Sequence, residues 1–164
     1  LRVAGQRTRL TRDGDETICD QGLDTMRQRK VSDLKNRVKL VEETENAILL
    51  SIHQNSLPSS PVTHGAQVFW NRQEGAESLA GSIQEALNAA VNGGNDKRPR
   101  QIPDSIYLMK NITAPGVLVE CGFLSNAPET ERLQDPAHQL RLAFAVTAGY
   151  LNAGNGETEF GELE

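Results

Sequence analysis

One apolar run constrains the fold of this chain more than any other stretch of its sequence. It covers residues 116–119, follows Pro115, ends on the carboxylate of Glu120 and then turns at Gly122. An apolar run between a proline and a glycine is typical of a buried strand with helices packed on both faces. Glu120 is therefore predicted to lie where this strand leaves the core.

A second stretch has the same design. Residues 47–52 are almost continuously apolar, end on His53 and are followed by polar residues 54–56. If both strands belong to one largely parallel sheet, both titratable groups emerge at its carboxyl edge, where open α/β sheets place their sites. The sequence therefore predicts one shared site around His53 and Glu120.

The rest of the chain alternates between strand and helix patterns. This alternation predicts an α/β fold with a largely parallel or mixed central sheet and helices on both faces. In the last helix, Leu140, Phe144, Thr147 and Leu151 are predicted to face inward. Beside the two strands above, strands are predicted at residues 6–12, 65–70 and 105–109, and helices at residues 33–43, 76–91, 128–133 and 136–152.

Length and charge bound the class of protein. The chain has 164 residues, enough for one domain with a sizeable core. A net charge of -5 and a pI near 5.3 argue against nucleic acid as a partner. The sequence contains no apolar stretch long enough to cross a bilayer and opens with no signal peptide.

The two ends of the chain carry separate expectations. Residues 1–5 resemble the last turn of a helix closed by a glycine, and the first residue is Leu1 instead of methionine. We therefore expect residues 1–152 to be the C-terminal portion of a longer domain, lacking its first strand and helix. Residues 153–164 are rich in glycine and acids and are predicted to form a flexible tail.

The three histidines are candidate metal ligands of unequal strength. A histidine at a strand exit is well aimed for a metal, but a lone histidine is more often structural, and spacing alone favours the structural interpretation for His53. His64 lies in a loop, and His138 is early in a helix where we expect exposure. No two histidines have the spacing of a zinc site.

Glu120 has the strongest case for chemistry. A carboxylate at the end of a buried strand is partly desolvated, which raises its pKa toward the range useful in acid and base catalysis. The alternative is that Glu120 caps backbone amides in the turn at Gly122. A third hypothesis makes Cys121 a nucleophile with His53 as its base. It ranks lower because neighbouring residues of a strand point to opposite faces.

Five segments together resemble the zinc-dependent N-acetylmuramoyl-L-alanine amidases, bacterial hydrolases of cell wall and spore cortex. Residues 51–55 match the motif SIHxN of that family, and residues 119–126 match VExGFxSN. Residues 10–15 resemble LTR-x-x-D, Leu34 and Arg37 resemble L-x-x-R, and residues 65–66 resemble the start of a further strand.

The resemblance implies a function and a set of roles. It implies that His53 is a zinc ligand and that Glu120 passes a proton from a zinc-bound water to the departing amine. The bond cleaved joins the lactyl group of muramic acid to L-alanine, so peptidoglycan is the implied substrate and the location is extracytoplasmic. Two further family ligands, a histidine in a "GHGG"-like turn and a glutamate in the first helix, are absent from this chain. The alternative is therefore an incomplete or non-catalytic module that binds the wall.

Two features near these motifs have competing interpretations. Gly122 either lets the substrate approach the backbone or serves the backbone conformation alone. Lys97, Arg98 and Arg100 suit the carboxylates of a stem peptide, although the sequence favours a solvated loop.

Overall fold

A computed structural model describes residues 1–12 and 14–155 of the chain. Within these ranges no helix is both long enough and apolar enough to span a membrane. A 3-10 turn at Arg2–Ala4 comes first. The strands are β1 (Leu49–Asn55), β2 (Gln67–Trp70), β3 (Arg100–Gln101) and β4 (Gly116–Phe123). The helices are α1 (Met26–Glu42), α2 (Ala76–Leu87, continued by a π-helical turn at Asn88–Asn92), α3 (Tyr107–Asn111), α4 (Ala127–Gln134) and α5 (Pro136–Asn155).

The four strands form one mixed sheet in the order β1-β4-β2-β3. Strand β4 is central, parallel to β1 and antiparallel to β2, while β2 and β3 are parallel. The predicted α/β architecture with a mixed sheet is confirmed. The strand predicted from the apolar run at residues 116–119 is the most buried of the four, since every residue of β4 except Glu120 is buried.

Helices cover both faces of the sheet, as predicted. On one face, β2 and β4 pack against α2, α4 and α5 around Val68, Val119 and Ile83. On the other face, Leu118 of β4 and Leu49 of β1 pack against α1 and α3. These two apolar clusters fix which side chains of each strand point inward.

Three predicted elements near the surface are wrong. Helix α1 begins at Met26, well before residue 33, because Thr25 and Gln28 form a reciprocal capping box. Residues 105–109 are not a strand, since α3 occupies part of them. Residues 6–12 form no strand either, and Thr11 instead accepts a hydrogen bond from the Arg37 guanidinium at 3.1 Å.

Arg37 is more than a surface arginine. Its guanidinium is half-buried and pairs with Asp33 at 2.7 Å, while Asp33 also accepts the backbone N–H of Ile18 at 3.0 Å. The ion pair holds the pKa of Asp33 below its usual range against the opposing effect of burial. The N-terminal segment is therefore held on α1 by polar contacts.

The predicted inner face of α5 is wrong. Leu140 and Phe144 are 56% and 64% exposed, and the buried apolar side chains are instead Leu142, Ala145 and Val146. The reason is Gly149, since a Cβ there would lie 2.4 Å from the Cα of Ile83 in α2. Close approach of the two helix backbones thus decides which face of α5 is buried. Helix α5 continues through Asn155, and residues 156–164 of the predicted tail lie outside the described residues.

Substituting Gly149 with alanine should destabilise the fold. The new methyl group cannot fit against the backbone of Ile83, so we expect a loss of about 1–3 kcal/mol in the free energy of unfolding. Urea denaturation followed by circular dichroism measures this loss.

Gly81→Ala in α2 is the matched control, because nothing lies within 4 Å of a Cβ at that position. It should be neutral or more stable by roughly 0.5–1 kcal/mol, the usual advantage of alanine over glycine in a helix. A Gly149→Ala protein as stable as the Gly81→Ala protein would contradict the close packing of α2 on α5.

Candidate functional site

The structure brings His53 and Glu120 together in one row across the sheet. His53 on β1 is the register partner of Glu120 on β4, and Gln67 on β2 is the partner of Glu120 on its other side. Side chains of residues paired in register point to the same face of a sheet. The imidazole, the carboxylate and the amide therefore lie side by side.

Glu120 is a half-buried carboxylate with an unsatisfied oxygen. Its Oε2 atom is buried and has no hydrogen-bond partner among the described residues. Burial raises the pKa of Glu120 above that of an ordinary glutamate. Buried polar atoms are nearly always hydrogen-bonded in folded proteins, so this oxygen marks a place where a ligand or water is expected.

Glu129, which is not among the residues predicted from the sequence, has the capping role that is the alternative for Glu120. The residue is 4% exposed, and its carboxylate accepts two backbone N–H groups, from Phe123 at 2.7 Å and from Gly65 at 2.9 Å. The carboxylate therefore joins the end of β4 to the segment before β2. Glu120 makes no such contact, which removes the capping alternative for it.

A sequence signal for this role was present. Glu129 follows Asn126 by three residues, the spacing of a helix start, and its N–H donates to Asn126 Oδ1 at 3.0 Å. Gly122 serves the same arrangement, since a Cβ there would lie 2.7 Å from Glu129 Cδ. Gly122 is thus required for packing of the Glu129 carboxylate, and its φ lies outside the left-handed region.

His53 lies at the surface, where it contributes nothing to the core. Its Nε2 is 3.0 Å from the Ser51 hydroxyl, the contact recorded for its ring. An exposed imidazole beside a half-buried carboxylate suits a metal or substrate better than a structural role. Among residues 1–12 and 14–155, however, no group of three His, Cys, Asp or Glu side chains is arranged to hold a metal ion. The described residues therefore offer one candidate ligand and do not complete a metal site.

The other two histidines lie elsewhere. His64 is exposed in a loop, with Nδ1 3.0 Å from the Val62 carbonyl oxygen. His138 is buried at 6% exposure, so the expectation that it lies at the surface is wrong. It lies on the covered side of α5, where burial lowers its pKa.

Cys121 is not placed as a nucleophile. It packs in the apolar cluster on the face opposite Glu120, where it is 8% exposed. Burial, helped by the charge of Glu120, raises the pKa of its thiol to about 11. A thiol with this pKa stays protonated at neutral pH, so the cysteine hydrolase hypothesis has no support.

The loops that follow β1 and β4 hold each other. The Leu124 N–H donates to the Asn55 carbonyl at 2.8 Å, and the Leu57 N–H donates to the Ser125 hydroxyl at 2.9 Å. The Asn126 amide donates to the carbonyl of Pro61 at 2.9 Å. The two segments that match the family motifs are thus joined beyond the ends of their strands.

A cavity of about 570 Å³ opens beside this row. Gln67 of β2 lines it together with Asn55 of β1 and Phe123 of β4, so the cavity lies where β1 and β4 end. Three of its lining residues are cations, namely Lys97, Arg98 and Arg100.

Sequence comparison connects this geometry to a family. Residues 1–152 match the family model Amidase_3, described as N-acetylmuramoyl-L-alanine amidase. The germination-specific N-acetylmuramoyl-L-alanine amidase of Bacillus subtilis is 34% identical over 151 residues, which are 92% of this chain and 63% of that protein. The chain thus spans about 63% of the length of this relative. LytC of B. subtilis is 27% identical over 145 residues, covering 87% of this chain and 27% of LytC.

Structural comparison leads to the same family. The CwlD amidase of Clostridioides difficile, solved in complex with the GerS lipoprotein, superposes with a TM-score of 0.88 at 31% identity, covering 94% of this chain and 79% of that one. The catalytic domain of CwlV from Bacillus (Paenibacillus) polymyxa has a TM-score of 0.62 at 30% identity, covering 73% and 66% of the two chains. With the family match over residues 1–152 and this shared fold, the chain belongs to the N-acetylmuramoyl-L-alanine amidase family.

Proposed function

We propose that this protein hydrolyses the amide bond between the lactyl group of muramic acid and L-alanine in peptidoglycan. Membership of the amidase family supports this substrate and reaction. The observation that carries the proposal is the buried Glu120 Oε2, left without a hydrogen-bond partner beside an exposed imidazole. Such an arrangement costs folding free energy unless a ligand or water uses the oxygen.

Glu120 acts as the general base and then as the general acid. Its raised pKa brings proton uptake closer to neutral pH than an ordinary glutamate allows. It takes a proton from a water whose oxygen attacks the amide carbonyl carbon. The C–N bond then breaks, and Glu120 delivers the proton to the departing amine of L-alanine. The products are a lactyl carboxylate on the glycan and a peptide with a free amino terminus.

His53 is proposed as one ligand of a zinc ion, as the resemblance to zinc amidases implies. When bound, zinc polarises a carbonyl oxygen and lowers the pKa of a coordinated water. The exposed ring of His53, on the same face as Glu120, supports a place in such a site. The described residues hold no group of three metal-binding side chains, so they do not complete a zinc site. The chemistry assigned to this chain is therefore limited to proton transfer by Glu120.

The names of similar proteins support a proposal for where the reaction takes place. One similar protein is named as germination-specific and others as cell wall amidases. We therefore propose that this protein works outside the cytoplasm on cell-wall or spore peptidoglycan.

Replacing Glu120 with glutamine should abolish hydrolysis. The amide keeps the shape of the side chain but accepts no proton, so we expect kcat to fall by about 10²–10⁴-fold, the usual share of acid and base catalysis. The measurement is release of peptides with new L-alanine amino termini from purified peptidoglycan by the full-length protein.

Glu74→Gln is the matched control because Glu74 is exposed and follows the Trp70 end of β2, the end of that strand away from Gln67, and it should keep full activity. Unchanged activity in Glu120→Gln would remove this residue from the mechanism. A wild-type protein that binds peptidoglycan yet releases no peptide would instead indicate a wall-binding module.

The same substitution should stabilise the metal-free protein at neutral pH. A raised pKa in the folded state means that ionisation of Glu120 opposes folding, so its cost appears as pH rises through that pKa and vanishes in acid. Glu120→Gln is therefore expected to melt above the wild type at pH 7. This difference should close as pH falls below the ordinary glutamate range.

Thermal melts over a series of pH values, in the presence of a chelator, test this expectation. Glu74→Gln should track the wild type at every pH, because its carboxylate is exposed. A Glu120→Gln protein that is less stable than the wild type at pH 7 would show that the carboxylate supports the fold.

A further inference from the structure

The cavity beside Glu120 has a cationic wall. Lys97, Arg98 and Arg100 line it together with one acid, Asp96; we call this cavity the basic groove. Within the described residues, the ion pairs of the chain use other cations, and none involves these three side chains. The groove therefore carries an excess of positive charge that the fold does not neutralise locally.

This wall is held in place by side-chain amides. Asn88 Oδ1 accepts the Lys97 N–H at 3.0 Å, and Asn88 Nδ2 donates to the Lys97 carbonyl at 2.9 Å. The Gln67 amide donates to the Arg98 carbonyl at 2.9 Å, and Arg100 lies in β3, paired with Phe69 of β2. The sequence favoured a solvated loop, but these bonds fix the backbone that carries all three cations.

The aliphatic part of the Lys97 side chain is also confined. A Cβ at Gly65 would lie 3.0 Å from Lys97 Cε, so the side chain packs over a position that only glycine leaves open. Asn88 belongs to the π-helical turn that continues α2, an irregularity that is frequent at functional sites. The groove is thus a preformed feature of the fold.

The three cations of the groove lie on one side of the proposed cleavage point, although Asn55 of β1 and Phe123 of β4 also line the groove. Glu120 on β4 has β1 and His53 on one side and β2 and β3 on the other. Arg100 lies in β3, and Lys97 and Arg98 come just before it, so the cations are on the β2 and β3 side. A muramoyl amide has a matching asymmetry. Its lactyl carboxyl is consumed in the bond, which leaves the glycan half uncharged, whereas the peptide half retains free carboxylates.

We propose that the basic groove binds the stem-peptide carboxylates of the substrate. The peptide half then lies over β2 and β3, and the glycan half lies toward β1. This inference rests on the proposed hydrolase function. Arginine is suited to the role because its planar fork binds a carboxylate through two hydrogen bonds.

Binding to the Glu120→Gln variant of the full-length protein tests the groove without turnover. The probes are an N-acetylmuramoyl peptide with free carboxylates and the same peptide with every carboxylate amidated, titrated calorimetrically. Arg98→Gln or Arg100→Gln in this background should weaken binding of the free acid about 1.5–5-fold, the range for exposed charge pairs. Affinity for the amidated peptide should not change, and Arg100→Glu should weaken the free acid further.

Lys110→Gln is the matched control, since Lys110 is an exposed cation on α3 outside the groove, and it should leave both affinities unchanged. Melting temperatures confirm that each variant is folded. Equal losses on both peptides, or no loss on either, would overturn the assignment of the groove.

Turnover separates this inference from the proposed function. In otherwise wild-type protein, Arg98→Gln and Arg100→Gln should raise KM for the free acid and leave kcat nearly unchanged. Peptide release with an unaltered KM would refute the groove while the hydrolase assignment stands. Selective binding of the free acid without any hydrolysis would refute the hydrolase assignment while the groove stands.

Discussion

The pairing of β4 with its two neighbours is the constraint on which the site depends. Strand β4 is bonded on both sides, and its apolar residues are buried on both faces, so its register has no freedom to slip. A shift of one residue would turn Glu120 into the α2 and α5 core and bring Cys121 to the opposite face. The free energy that excludes this slip comes from burial of apolar residues such as Val117 and Val119. The same packing that builds the core therefore aligns His53 and Gln67 with Glu120.

Two carboxylates close in sequence show why burial alone does not identify a functional acid. Glu129 is the more buried side chain, yet both of its oxygens accept backbone N–H groups. Glu120 is less buried, but one oxygen has no partner and its pKa is raised. Hydrogen bonding stabilises the first as part of the fold, and its absence makes the second available for chemistry. By closing the turn after β4, Glu129 also frees Glu120 from any structural task.

The sequence predicted those parts of the fold that depend on local apolar patterns. Strands β1 and β4 and helix α2 follow from continuous or helically spaced apolar residues, and the juxtaposition of His53 and Glu120 follows from two strands of one sheet. The inner face of α5 was missed because Gly149 selects it by close contact with Ile83, and the larger Leu140 and Phe144 stay outside. Contacts between residues distant in sequence produce no periodic pattern of apolar residues from which they could be predicted.

The basic groove illustrates the same limit. Residues 95–100 have the composition of a solvated loop, and nothing local indicates that they are ordered. Their order comes from Asn88 and Gln67, which are 9 and 31 residues away from the groups they bind. The sequence thus points to His53 and Glu120 at the ends of apolar runs, whereas the ordering of the segment that carries Lys97, Arg98 and Arg100 requires the tertiary structure.

Gln67 links the two halves of the proposed site. Its backbone is the register partner of Glu120, and its side-chain amide holds the carbonyl of Arg98. One residue therefore sets the position of the cationic wall relative to Glu120. A substrate bound by its carboxylates in the groove would present its amide to Glu120 at a fixed distance from those carboxylates, which is the offset between the groove and Glu120 along the sheet. Fixing that offset before the reaction reduces the entropy lost in reaching the transition state, which is the contribution that a rigid binding groove makes to hydrolysis.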